Sequence, residues 1–320
     1  MERRFLDFLE LAPRSHKPRT RGLTTILEQG HSNTWIKEML EIWGEYVDCV
    51  KFPISCISMP WRTVEERVKI YRDHKIDAAI DDPMFAIAYY QGKAEQYLRA
   101  VRDIGFTHIQ IDTHFMSAPE NADRARRDEE RYFTLAKELG LKLEGEVGQK
   151  WEEGDKARAG GGLLNVDAIV AETKRLLAAG CEHVYLESRV IREAIGDYGE
   201  REEGARQVRE IVEAVGADKV FIEITGQLPF DIRMCHRFWA VRNFGPDVNM
   251  GGGELIEEMR YIEGIRRGFT FVKGPSRSTS MLWLKSLAQS GGKAKEGWWR
   301  EEDYPIDPSL VQRRAYGAKP

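Results

Sequence analysis

Residues 141–150 read LKLEGEVGQK. The first part looks like a strand, but a weakly built one. Glu144 and Glu146 stand two residues apart, so on a strand they share one face. Gly145 and Gly148 weaken the segment and Lys150 closes it. Strand interiors deplete Asp, Glu and Lys, so two carboxylates on one face call for partners inside the fold: a cation, a metal or a bound ligand.

The neighbouring segments repeat the pattern. In THIQIDTH (107–114), Ile109 and Ile111 share one face and His108, Gln110, Asp112 and His114 the other. In HVYLESR (183–189), Val184 and Leu186 lie opposite Tyr185, Glu187 and Arg189. An apolar face against helices and a polar face turned inward is the arrangement of a barrel interior. Strands are expected over 23–28, 46–52, 76–81, 107–112, 141–147, 183–188, 219–224 and 247–250, with amphipathic helical stretches between them. NTWIKEMLEIWGEY carries helical spacing with Asn33 as its expected cap. Gly105, Gly140, Gly180, Gly216 and Gly268 are placed as helix stops. Eight strand-then-helix units predict an α/β fold, a (β/α)8 TIM barrel over residues 1–273. A doubly wound sheet is the alternative, but LEQGHSNTW after the first strand is not a Gly-rich nucleotide turn. Residues 274–320 form an extra C-terminal segment, a helix plus an irregular arm. In it Trp298, Trp299 and Tyr304 either close over the site as a lid or bury an oligomer contact.

Composition narrows the function. A formal charge of −4 on 320 residues argues against nucleic acid or an anionic membrane as partner. There is no apolar run long enough to span a bilayer, and residues 1–22 carry acidic residues and no long apolar stretch, so a signal peptide is not expected. Cys49, Cys56, Cys181 and Cys235 show no CxxC pairing, so a reduced cytoplasmic protein is expected.

Barrel enzymes place their chemistry at the C-terminal ends of the strands. Those ends are expected to carry Glu28, Lys51, Asp81 with Asp82, Asp112 with His114, Glu146 with Lys150, Glu187 with Arg189, Glu223, and Asn249. Glu146, Glu187 and Glu223 form a carboxylate set suited to a hard divalent cation such as Mg2+. Lys51 and Lys150 either hold an anionic substrate or act as acid/base groups. His114 is either functional or a satisfied structural histidine. NMGGGELIEEM (249–259) is either a phosphate cradle formed by Gly251 and its neighbours at a helix start, or a plain tight turn.

KPRTRGLTTILEQG, EYVDCVKF, AYYQGKAEQYLRAVRDIGF, EGEVGQK, AAGCEHVYLESR and FGPDVNM occur in this order and at these spacings. Together they resemble the phosphosulfolactate synthase (ComA) family from about Lys17 to Gly268. The resemblance implies a (β/α)8 lyase, commonly oligomeric, that adds sulfite to phosphoenolpyruvate with Mg2+. It implies Lys150 as the acid and Lys51 and Glu146 as site residues, with Glu187, Arg189 and Glu223 matching more approximately. Loops at the active end depart from the family: DDP stands where GGT is usual, DTH where an SxGT-like turn is usual, and VNMGGG where VNLANI is usual.

The expected machinery is therefore Lys150, Lys51, Glu146 and His114 for catalysis, and Arg189, Asn249, Gly251 and Gly252 for substrate. Glu146, Glu187, Glu223 and Asp112 are expected at Mg2+. The expected partners are a small anionic substrate and further copies of the chain. A related addition, elimination or isomerisation on another small carboxylate, and a non-catalytic family member, stand as alternatives.

Overall fold

In the computed structural model the expected strands close into a ring. The structure describes residues 5, 8–111, 122–148, 158–160, 163–268 and 282–300. The barrel strands are β1 (Thr24–Leu27), β2 (Cys49–Phe52), β3 (Asp77–Ile80), β4 (His108–Gln110), β5 (Lys142–Val147), β8 (Cys181–Leu186), β9 (Val220–Ile224) and β10 (Met250–Glu254). All neighbours pair in parallel and β10 returns to β1, so the fold is a (β/α)8 barrel. The two remaining strands, β6 (Arg158–Gly160) and β7 (Leu163–Leu164), make a small antiparallel ribbon outside the ring. Nothing in the sequence reading anticipated it.

The alternation explains which way each strand faces. Val184, Leu186, Ile109 and Ile222 belong to the large apolar cluster between sheet and helices. Tyr185 and Phe221 form a separate cluster with Leu23. Of the helices flanking the site, α2 spans Trp61–Asp73, α3 Asp82–Tyr90, α7 Ser188–Ile195, α8 Glu202–Val215, α9 Phe230–Phe244 and α10 Met259–Arg266. The first helix, α1 (Asn33–Trp43), is capped by Ser32, whose Oγ accepts from Trp35 N at 3.2 Å, rather than by Asn33. Gly105 and Gly180 end their helices in the left-handed conformation, as expected.

Several boundaries differ from expectation, among them the start of β2, expected at 46 and found at Cys49. β8 ends at Leu186, which turns Glu187 from a strand end into the N-cap of α7. Residues 82–90, to which the sequence reading assigned no element beyond the DDP turn, are helix α3. β10 begins at Met250, so the three glycines are strand and not a turn before a helix. Between two paired positions β1 advances from Thr24 to Ile26 while β10 advances from Met250 to Glu254. This is a bulge, and the glycines allow it. A Cβ on Gly251 would lie 2.7 Å from Thr25 N, and Gly252 has φ +91°.

The described part of the C-terminal segment contains α11 (Leu282–Gln289) and the two tryptophans. Trp298 is 4% exposed and packs on Gly268, and Trp299 lies against Gly245. Both glycines follow helices, α9 and α10, and helices of a parallel barrel run back to the N-terminal side of the strands. The tryptophans therefore pack at the end opposite the expected active mouth. Neither closes over that mouth. Tyr304 lies outside the described residues.

Candidate active site

The barrel lumen is organised around one ammonium. Lys51 lies on β2 with its side chain 2% exposed. Its Nζ donates to Gln110 Oε1 at 2.8 Å, and Gln110 Nε2 donates to Glu146 Oε2 at 2.6 Å. The same ammonium sits 3.9 Å from the Tyr185 ring centroid, within the range of a cation–π contact. Tyr185 Oη in turn donates to Glu144 Oε1 at 3.3 Å and lies 3.1 Å from Thr25 Oγ1. Asp81 Oδ1 is 3.9 Å from Nζ, on the side of the strand ends.

Burial is the largest influence on Lys51 and alone would lower its pKa. The carboxylates of Asp81, Glu223, Glu144 and Glu146 overcome it, and the pKa ends above the ordinary lysine value. The ammonium therefore stays charged at neutral pH. Burial, followed by the Glu144 charge, holds the Tyr185 phenol well above its ordinary value, so it stays a donor. An ammonium has three N–H donors. Gln110 takes one at hydrogen-bond distance.

Above this array a cavity of about 580 Å3 opens at the C-terminal mouth. Its wall takes Leu27 from β1, Asp81 after β3, Glu187, Arg189 and Arg192 after β8, Glu223 and Thr225 from the end of β9, and Gly252 and Gly253 of β10. Glu187 Oε2 accepts from Arg189 N at 2.8 Å and Glu223 Oε2 from Ser188 N at 3.3 Å. These two carboxylates brace the start of α7. Arg189 Nε pairs with Glu193 at 3.4 Å, one turn along the helix.

A larger cavity, about 850 Å3, lies at the opposite end, bordered by Lys17, Arg19, Asp48, Lys142, Glu182 and Lys219 among others. Several of its charges are paired locally, while Lys17 donates to the backbone carbonyls of Gly44 and Lys75. Arg19 pairs with Asp48 at 3.1 Å, Lys142 with Glu182 at 3.0 Å and Lys219 with Asp218 at 3.2 Å. Barrel chemistry belongs to the C-terminal face, so size does not decide between the two.

The sequence-expected residues divide accordingly. Lys51 and Glu146 are joined through Gln110 in the lumen. Glu187, Arg189, Glu223 and Gly252 line the mouth, while Gly251 packs against β1 within the bulge. Asn249 was expected at the active end but sits at the entry to β10. Its Oδ1 accepts from Leu23 N at 2.9 Å and its Nδ2 donates to Asp218 O at 3.3 Å, an internal tie at the far end of the barrel. Lys150, Asp112 and His114 lie outside the described residues. Glu28, another expected strand end, is engaged by Arg67 and by Tyr71 Oη at 3.0 Å.

Sequence reading missed the support behind the mouth. Arg237 on α9 is fully buried and pairs with Glu254 and Glu258. Arg233 pairs with Glu258 and donates to Gly226 O and Leu228 O, fixing the loop that follows β9. The signal was obscured because α9 is buried on all sides and shows no one-sided apolar stripe.

The sequence pattern of (2R)-phospho-3-sulfolactate synthase (ComA) matches residues 12–271. The chain belongs to this family. It is 31% identical over 269 residues to the phosphosulfolactate synthase of Methanothermobacter thermautotrophicus, covering 82% of this chain and 94% of that protein. To the phosphosulfolactate synthase of Methanocaldococcus jannaschii it is 25% identical over 252 residues, covering 78% and 92%. Family membership makes the chain a lyase-type enzyme. Among the described residues no helix is long and apolar enough to cross a membrane.

Whether the mouth suits the Mg2+ that the family resemblance implies turns on its donors. Among the described residues no three His, Cys, Asp or Glu groups converge into a metal cage. Mg2+ is usually held by one or two carboxylates together with its own waters and the substrate. Glu187 and Glu223, hard oxygen donors on one wall, fit that mode and do not fit an all-protein cage.

Proposed function

We propose that the enzyme adds sulfite to phosphoenolpyruvate, forming the C–S bond of phosphosulfolactate. The observation that carries this reading is the charged Lys51 ammonium in the lumen beneath the mouth, in a chain of this family. The sulfur lone pair of sulfite attacks the methylene carbon, and the electrons of the C=C bond move onto the substrate carboxylate as an aci-carboxylate. Lys51, kept protonated by its surrounding carboxylates, supplies positive charge toward that developing anion. Arg189 and Arg192 supply charge at the rim. A proton then enters at the carbon bearing the phosphate, and the family resemblance implies Lys150 as its donor. Glu187 and Glu223 would hold Mg2+, which when bound supplies further stabilisation of the carboxylate charge.

A second reading has support in the same cavity. Asp81, Glu187 and Glu223 place three carboxylates in its wall against two arginines. That balance suits a related addition or elimination on a small carboxylate less charged than phosphoenolpyruvate.

Incubation with phosphoenolpyruvate, sulfite and Mg2+, followed by mass spectrometry, decides between them. A sulfonated product is expected. No product at high enzyme concentration would remove the first reading and leave the second.

A further inference from the structure

Asp81 holds an unusual position. It is the N-cap residue of α3, with extended backbone (φ −74°, ψ 152°), yet its carboxylate makes no cap hydrogen bond. An N-cap aspartate ordinarily accepts from the first turn of its helix. Here the side chain reaches toward Lys51 instead, stopping 3.9 Å short, beyond hydrogen-bond distance. It also lines the mouth, with its side chain 19% exposed. So the carboxylate stands at the wall of the cavity, beside the charge that an incoming anion would seek.

We propose that Asp81 is the specificity-determining residue of the mouth: it is the mouth-side counter-ion of Lys51, so the site admits a small anionic ligand only as its complex with a divalent cation. This rests on the reading that the mouth takes a small anionic substrate. A free anion arriving at Lys51 meets the Asp81 charge at close range, and the repulsion is strong where water is excluded. An anion accompanied by a cation brings the charge that offsets Asp81. With the carboxylate removed, Lys51 is left to bind an anion without that help.

The test uses the full chain and two variants. Asp81→Asn removes the charge. Asp81→Ser removes it while offering α3 a cap oxygen, and stands in if the first does not fold. Phosphoenolpyruvate binding is measured by calorimetry with and without Mg2+. The wild type is expected to bind at least about tenfold more tightly with Mg2+, and the variants to bind without Mg2+ at least about tenfold more tightly than wild type. Equal metal-free affinity in wild type and variants would overturn the proposal. If phosphoenolpyruvate binds none of the proteins under any condition, the phosphosulfolactate reading fails, and inorganic phosphate becomes the probe. Thermal stabilisation of the variants at several-fold lower phosphate than wild type without Mg2+ then upholds the role of Asp81, and identical phosphate responses overturn it.

Discussion

At the scale of single residues, the lumen works as a chain of polarised contacts in which each group fixes the next. Gln110 shows this most clearly. Its amide oxygen faces the Lys51 ammonium and its amide nitrogen the Glu146 carboxylate, an orientation that cannot reverse without setting like against like. Gln110→Leu leaves a buried donor and a buried acceptor without their partner, and an unsatisfied buried group costs about 1–3 kcal/mol. We expect a loss of about 2 kcal/mol in denaturant unfolding and a lower kcat for sulfite addition with KM changed less. Wild-type values of both would show that the amide is not a link between Lys51 and Glu146. Lys51 and Glu146 were legible in the sequence because alternation alone assigns a face. Gln110 and Tyr185 were visible on that same face, but their roles were not. A glutamine two residues from an aspartate looks ordinary until the strands curl round and bring β2, β4 and β5 within one hydrogen bond of each other.

At the scale of elements, the sequence was most legible where a strand is bounded by charges and least where glycine or uniform burial hides the period. β5 was expected at 141–147 and spans Lys142–Val147. β10 was displaced by three residues because MGGGE has no alternation to read, and only the bulge against β1 gives the glycines a purpose. No periodic stretch marked α9, although eight strand-then-helix units called for a helix there, and it carries the arginines that hold the loop after β9. It also carries His236, whose Nε2 lies 3.0 Å from Gly196 O, at the end of α7. Burial, partly opposed by that hydrogen bond, lowers the His236 pKa from 6.5 to about 4. The unfolded chain therefore binds this proton more readily than the folded one. Stability from this group is present above about pH 6.5 and is lost as pH falls toward about 4. The loss across that window is about 3 kcal/mol. Urea unfolding midpoints recorded from pH 7 to pH 4 should fall accordingly. In His236→Asn, whose amide can still donate, the fall should be shallower; an unchanged slope would assign the acid sensitivity elsewhere.

At the scale of the whole molecule, the two ends of the barrel have separate tasks. The C-terminal mouth gathers the ionisable groups over Lys51, while the N-terminal end is held by ion pairs around its own cavity, by the ties of Asn249 and by the tryptophans packed at its side. Sequence alone could not place those tryptophans, because a Trp-rich tail buries its rings equally well as lid, interface or plug. Their packing on Gly268 and Gly245 sets Trp298 and Trp299 away from the mouth. Trp298→Ala should cost about 3 kcal/mol of stability yet leave Mg2+-dependent phosphoenolpyruvate affinity within about twofold, as expected for distant sites. A tenfold change in affinity would mean that the two ends communicate. The ring itself imposes an order of events. β1 can complete its pairing only with β10, since Thr24 meets Met250. On a ribosome adding roughly 5–20 residues each second, the outer edge of the first strand stays open for on the order of ten seconds or more. Throughout that interval the nascent chain presents an unpaired β edge, so the closing bulge of glycines, made last, is also what ends its exposure to other chains.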